Sequence, residues 1–112
     1  MPRTGDPYTD AAGRLTEILG GRLTAALLGV SASRPGAWAR GVAQPSPENR
    51  ARLEALDELM VKVLDVLTPR QARLWFTGHD PVLGARPLDV FRVDGPERIL
   101  PAIKAVEQGA SA

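Results

Sequence analysis

The chain has 112 residues, of which 44% are hydrophobic and 24% are charged, and this composition is typical of a folded globular domain rather than a disordered one. It contains no cysteine, which excludes disulfide scaffolds, thiol nucleophiles and cysteine-bound metal centres. Because 14 Lys and Arg residues oppose 13 Asp and Glu residues, the net charge of +1 provides little long-range attraction for nucleic acid.

The N-terminal residues lack the apolar core of a secretion signal, and no window of the sequence approaches a membrane span. We therefore expect a cytoplasmic protein that makes no membrane contact. Apolar residues recur at spacings of three and four rather than two, which predicts an all-α fold, a small helical bundle. Residues 1–8 are expected to form a flexible tail.

Residues 9–45 predict three helices with glycine-rich boundaries. Their expected limits are Thr9–Leu19, Arg22–Leu28 and Ser31 to about Arg40. Gly29 is suited to the left-handed corner between the second and third helices, and Ser31 is the expected N-cap of the third.

Residues 46–67 predict one long central helix, with Ser46 as its N-cap and Pro47 in the first position, where no backbone amide is needed. Its apolar positions are Leu53, Leu56, Met60, Val63 and Leu67. We interpret this stripe as part of the chain's own core. A dimer seam is the alternative, but a coiled coil usually needs three or four heptads and only about two are present.

Residues 68–112 predict three further helices. Thr68 caps the first of them, in a capping box with Gln71. Pro87 begins the second, a short helix after the loop from Gly78 to Arg86. The segment Asp94 to Glu97 is expected to cap the last helix, in which Pro101 is expected to cause a kink.

The second and third helices fit a helix-turn-helix. A small residue at the crossing, a turn glycine and two core residues are needed there, and Ala25, Gly29, Val30 and Trp38 supply them. This segment is similar to the Xre class, although Thr24 and the Pro35-Gly36 pair depart from its pattern. No acidic residue lies between Ile18 and Pro47, which favours contact with a phosphate backbone. The candidate DNA-binding residues are Arg22, Ser31, Ser33, Arg34 and Arg40.

The stretch from Leu83 to Phe91, followed by Glu107-Gln108-Gly109, resembles the Xre/MbcA/ParS-like antitoxin family, in which a Leu-Gly-Gly-x-x-Pro-Leu turn starts a short helix and the last helix ends in Glu-x-Gly. Ala85 stands in place of the second glycine. The resemblance implies a RES-domain toxin, which consumes NAD, as the partner, with the C-terminal helices docking over its active-site cleft. The residues expected at this contact are Trp75, Gly84, Arg86, Pro87, Arg98, Ile103, Lys104, Glu107, Gln108, Gly109, Ser111 and Ala112.

The sequence offers no catalytic constellation. His79 is the single histidine, and there is no phosphate-binding glycine loop and no nucleophile with a base. We expect a protein that is not an enzyme and has neither cofactor nor metal, and that forms a homodimer or a hetero-oligomer with its toxin. The alternatives are a helix-turn-helix transcriptional regulator whose C-terminal helices serve dimerisation, and a polar-localisation adaptor, because the family includes such members.

Overall fold

The computed structural model describes residues 6–109, which fold into seven α-helices and one 3-10 turn. The helices are α1 Pro7–Leu19, α2 Gly21–Leu28, α3 Arg34–Ala39, α4 Pro47–Leu64, α5 Pro69–Thr77, α6 Pro87–Asp94 and α7 Ile99–Glu107, with the 3-10 turn Pro96–Arg98 directly before α7. The β pairing found in this part of the chain is one isolated bridge, between Asp80 and Ala85. The predicted all-α fold is confirmed.

Helix α1 begins at Pro7, two residues before its predicted start at Thr9. The carboxylate of Asp6 accepts hydrogen bonds from the amides of Tyr8, at 2.9 Å, and Thr9, at 3.3 Å. Asp6 is thus the N-cap and Pro7 occupies the first position, a start signal that the prediction missed. The expected flexible tail is therefore wrong from Asp6 onward, and its other residues lie outside the described ones.

A left-handed glycine joins α2 to α3 as predicted, because Gly29 has a φ of 70°. The start of α3 differs from the prediction. Ser31 is exposed and does not cap the helix, which begins at Arg34. Pro35 has no amide to donate and fits best in a first turn, so it favours a start at this point rather than interrupting the helix.

The central helix α4 buries its apolar stripe within the chain. The Ser46 hydroxyl accepts a hydrogen bond from the Asn49 amide at 3.2 Å, as expected of the N-cap. Side chains on the inner face are at most 2% exposed, namely Leu53, Leu56, Leu59, Met60 and Val63. The core interpretation is confirmed, and the dimer-seam alternative is wrong because the stripe is already covered. The helix ends at Leu64, three residues before the predicted end at Leu67.

The three C-terminal helices begin partly as predicted. The capping box of Thr68 and Gln71 is present, and Pro87 is the first residue of α6. Asp94, in contrast, does not cap α7: it is the last residue of α6, and its carboxylate accepts a hydrogen bond from Arg98 at 2.9 Å. Pro101 lies in the first turn of α7, where amides have no intrahelical acceptor, so the predicted kink is not required.

One hydrophobic core unites the N-terminal and C-terminal helices. Leu15 of α1, Trp38 of α3, Leu56 of α4, Phe76 of α5 and Ile99 of α7 belong to the same cluster, and each is at most 1% exposed. The surfaces of the C-terminal helices are therefore supported by residues from the whole bundle. Within residues 6–109, no helix has the length and apolarity needed to cross a membrane.

Candidate protein-binding surface

A groove separates the C-terminal end of α4 from α7. It has a volume of about 280 Å³ and is lined by Lys62, Asp65, Val66, Leu100, Ile103, Lys104 and Glu107. The three apolar residues are buried or half-buried, whereas the two lysines and the two acids are exposed. We call this feature the α4–α7 groove. An apolar interior with a charged rim is the arrangement found at protein interfaces.

The α4–α7 groove brings together three of the residues predicted from the sequence. Ile103 is 4% exposed and belongs to the core, while Lys104 and Glu107 are exposed one turn apart on α7. The residues contributed by the end of α4 and the turn after it, Lys62, Asp65 and Val66, were missed by the sequence reasoning, because only the packing of this segment against α7 places them there.

The other predicted residues of the last helical segment lie at its two ends. Arg98 precedes α7 and is paired with Asp94, whereas Gln108 and Gly109 follow α7 and are exposed. Gly109 has a φ of 78°, a left-handed conformation that glycine adopts more readily than residues with a side chain. Ser111 and Ala112 lie outside the described residues.

A second group of predicted residues surrounds the α5–α6 loop, residues 78–86. Trp75 is half-buried, with its ring edge-on to Phe76 at a centroid distance of 5.1 Å. Pro87 is buried as the first residue of α6, and Gly84 is exposed with a φ of 67°. Of the residues expected to contact the toxin here, Gly84 and Arg86 thus lie at the surface.

Arg86 is exposed, but its guanidinium is already paired with Asp89. Nε lies 2.8 Å from Oδ2, and Nη2 lies 3.0 Å from Oδ1. These hydrogen bonds, together with the opposite charge of the partner, lower the pKa of the Asp89 carboxyl and raise the pKa of Arg86. A partner that binds Arg86 must therefore share it with Asp89 or displace Asp89.

The five candidate DNA-binding residues lie on and around the α2–α3 corner, and all of them are exposed: Arg22, Ser31, Ser33, Arg34 and Arg40. The salt bridges found within residues 6–109 involve none of these arginines. Thr24, a departure from the Xre pattern, is fully buried, and its hydroxyl donates to the carbonyls of Leu15 and Gly20. This threonine therefore joins α2 to α1 by a side-chain hydrogen bond.

Asp80 is the residue of this region to which the sequence reasoning gave no role. It is 4% exposed, and its carboxylate binds three N–H groups within and beside the α5–α6 loop. The order Asp80-Pro81 followed by Gly84 is a turn signal from which this role was predictable. The neighbouring His79 is exposed, and the described part of the chain contains no cluster of three metal-ligand residues.

The fold of residues 6–109 is also found in a toxin–antitoxin complex. A chain in the crystal structure of the M. tuberculosis MbcT–MbcA toxin–antitoxin complex has the same fold, with a TM-score of 0.77 and 23% sequence identity. The match covers 93% of the present chain and 96% of that chain. No protein-family model and no curated protein matches the sequence.

Proposed function

We propose that this protein is an antitoxin that binds a toxin protein and inhibits it sterically. The observation that carries the proposal is the shared fold with a chain of the MbcT–MbcA complex, which extends over 93% of this sequence. The C-terminal resemblance to the Xre/MbcA/ParS-like family supports a finer identity for the partner, a RES-domain toxin that degrades NAD. In this proposal the antitoxin supplies no catalytic group, and the two proteins form a hetero-oligomer in the cytoplasm.

The α4–α7 groove, the exposed side of α7 and the α5–α6 loop form the proposed contact surface. Docking buries the half-buried apolar residues Val66 and Leu100, while Lys104 and Glu107 orient the toxin through charge. Helix α7 and the residues after it act as a plug over the toxin's active-site cleft. Steric inhibition of this kind requires only that the toxin's substrate cannot enter the active-site cleft.

Co-expression with the product of the adjacent gene tests the proposal. That product should arrest growth when expressed alone, and the present chain should relieve the arrest. Lys104→Glu reverses one exposed charge at the groove, and we expect it to weaken toxin binding by about tenfold or more, because rim charges repel when their sign is wrong. The affinity is measured by titration calorimetry.

Arg40→Glu is the matched control, since it makes the same charge reversal on an exposed residue of the N-terminal half. Equal affinities for Lys104→Glu and wild type would remove α7 from the contact surface. Failure of the wild type to bind the adjacent product would overturn the antitoxin proposal itself. Deleting α7 is a poorer test, because Ile99 and Ile103 belong to the core.

A second function, repression of its own operon through DNA binding, is favoured by one specific observation. The acid-free stretch from Ile18 to Pro47 exposes Arg22, Arg34 and Arg40, which lie outside the salt bridges of the described residues. A dimer or a toxin complex doubles these charges and presents two copies of the α2–α3 corner to DNA.

A mobility-shift assay on the upstream region at two salt concentrations tests this second function. We expect a shift that weakens with salt and is lost in Arg40→Glu, with Lys104→Glu as the reciprocal control. No shift at low salt, with or without toxin, would remove the repressor role. If the chain shifts this DNA but binds no toxin, the result would favour a plain transcriptional regulator whose C-terminal helices serve dimerisation.

A further inference from the structure

The carboxylate of Asp80 holds the α5–α6 loop together. Oδ1 accepts hydrogen bonds from the amides of Val82, at 2.9 Å, and Leu83, at 3.1 Å, and Oδ2 accepts one from the indole Nε1 of Trp75 at 3.1 Å. Burial of a carboxylate without such partners is strongly unfavourable. One side chain therefore fixes the loop backbone to helix α5.

The backbone closes the loop around the same residue. The amide of Asp80 donates to the carbonyl of Ala85 at 3.0 Å, and the amide of Gly84 donates to the carbonyl of Asp80 at 2.8 Å. Gly84 has a φ of 67°, a conformation that residues with side chains rarely adopt, although a Cβ atom there would meet nothing within 4 Å. The requirement for glycine is thus conformational, and it serves the closed form of the loop.

This closed loop exposes side chains from an ordered backbone. Val82 is 55% exposed although its amide is bound to Asp80, and Arg86 is exposed at the end of the loop. Leu74, beside Trp75 on α5, is 65% exposed. A loop that is ordered before binding loses less conformational entropy on docking than a mobile one.

The partners of Asp80 are all neutral donors. They are two backbone amides and one indole, and the salt bridges found among residues 6–109 do not include Asp80. Asp80 therefore acts on the conformation of the loop and does not offer a charge at the surface.

We propose that Asp80 is a positioning residue of the toxin-binding surface: its carboxylate holds the α5–α6 loop against Trp75, so that Val82 and Arg86 are presented in one conformation before the toxin binds. The inference rests on the antitoxin function proposed above. It adds Val82 to the contact residues, as an apolar side chain on the loop, and gives Trp75 the role of fixing the loop through its indole N–H.

Asp80→Asn isolates this role. An asparagine side chain keeps one oxygen for the amides of Val82 and Leu83, but it places an NH2 group opposite the indole N–H of Trp75, and two donors repel. If the amide flips to accept from Trp75, the two loop amides lose their acceptor instead. Asp10→Asn is the matched control, because it removes the same charge from an exposed residue of α1.

Two measurements are made on the full chain at a temperature where each variant is folded. The first follows the two indole N–H resonances by NMR, and we expect Asp80→Asn to shift the Trp75 signal and accelerate its hydrogen exchange while the Trp38 signal stays unchanged. The second measures association with the product of the adjacent gene by surface plasmon resonance. Because fewer molecules are then competent to bind, the association rate constant should fall by about fivefold or more, with little change in dissociation.

The combination of results separates the possible outcomes. A changed Trp75 resonance with an unchanged association rate overturns the positioning role and leaves Asp80 as a structural residue. An unchanged resonance overturns the role of the Trp75 hydrogen bond. A wild-type chain that does not bind the adjacent product overturns the antitoxin function together with this inference, whereas a slower association in Asp80→Asn alone, with Asp10→Asn equal to wild type, supports both.

Discussion

At the scale of single residues, the pairing of Arg86 with Asp89 makes the start of α6 sensitive to pH. Hydrogen bonding from Arg86 lowers the pKa of Asp89, so the pair stabilises the fold above the ordinary carboxyl pKa, and this stabilisation is lost as the pH falls through the lowered value. We predict that Arg86→Gln raises the titration midpoint of Asp89, measured by NMR of its carboxyl carbon.

Asp89→Asn serves as the companion variant, because it removes the titration while keeping the size of the side chain. If the Asp89 midpoint is the same in wild type and Arg86→Gln, the pair does not form in solution, and Arg86 is then available to a partner without competition.

At the scale of helices, Trp38 is the largest side chain that α3 buries in the core. Trp38 is 1% exposed, and its indole N–H has no acceptor among the described residues. We predict that Trp38→Ala lowers the free energy of unfolding by about 3–5 kcal/mol, because a buried aromatic ring is replaced by a cavity. Trp38→Phe should cost less, since it keeps an aromatic ring and removes a buried donor that lacks a partner.

Urea unfolding monitored by circular dichroism measures both variants. An equal cost for Phe and Ala would show that the ring retained in Trp38→Phe does not stabilise the core, and would contradict this prediction. A cost for Trp38→Ala near zero would show that α3 is not anchored by this residue.

How far the sequence predicted each helix depends on where the determining contacts lie. The starts of α4 and α5 follow from the caps at Ser46 and Thr68, which interact with residues three positions away, so a local pattern was sufficient. The same local logic was applied to Ser31 and was wrong, because α3 begins at Arg34, with Ser33 in the N-cap position and Pro35 in the first turn.

The candidate surface was harder to predict than the helices that carry it. Lys104 and Glu107 share a face of one helix and were found together, but their neighbours at the end of α4 and just after it are brought there only by the fold. The role of Asp80 as a turn residue was predictable from the sequence. Its hydrogen bond to Trp75 was harder to predict, because it depends on how the loop turns back onto α5.

At the scale of the whole molecule, the shared core has a consequence for the two parts predicted from the sequence, the helix-turn-helix-like residues 9–45 and the toxin-binding residues 68–112. Leu15 of α1 is fully buried in the cluster that also contains Phe76 of α5. In addition, Arg73 of α5 donates a hydrogen bond to the carbonyl of Ile18 at 2.7 Å. The two parts are thus connected by both packing and hydrogen bonding.

We therefore predict that Leu15→Ala destabilises the C-terminal helices as much as the N-terminal ones. Truncation of a buried leucine in this way lowers the free energy of unfolding by about 2–5 kcal/mol. Amide hydrogen exchange should show the same loss of protection in α2, α5 and α7, because a cooperative core opens as a unit. Val93→Ala, at a residue that is 82% exposed, is the control and should leave protection unchanged. If Leu15→Ala lowers protection in α1 to α3 alone, the chain is two independent domains, and damage to the N-terminal part would leave the C-terminal helices intact. With one core, the same variant also disturbs the C-terminal helices, and should therefore weaken the proposed toxin binding.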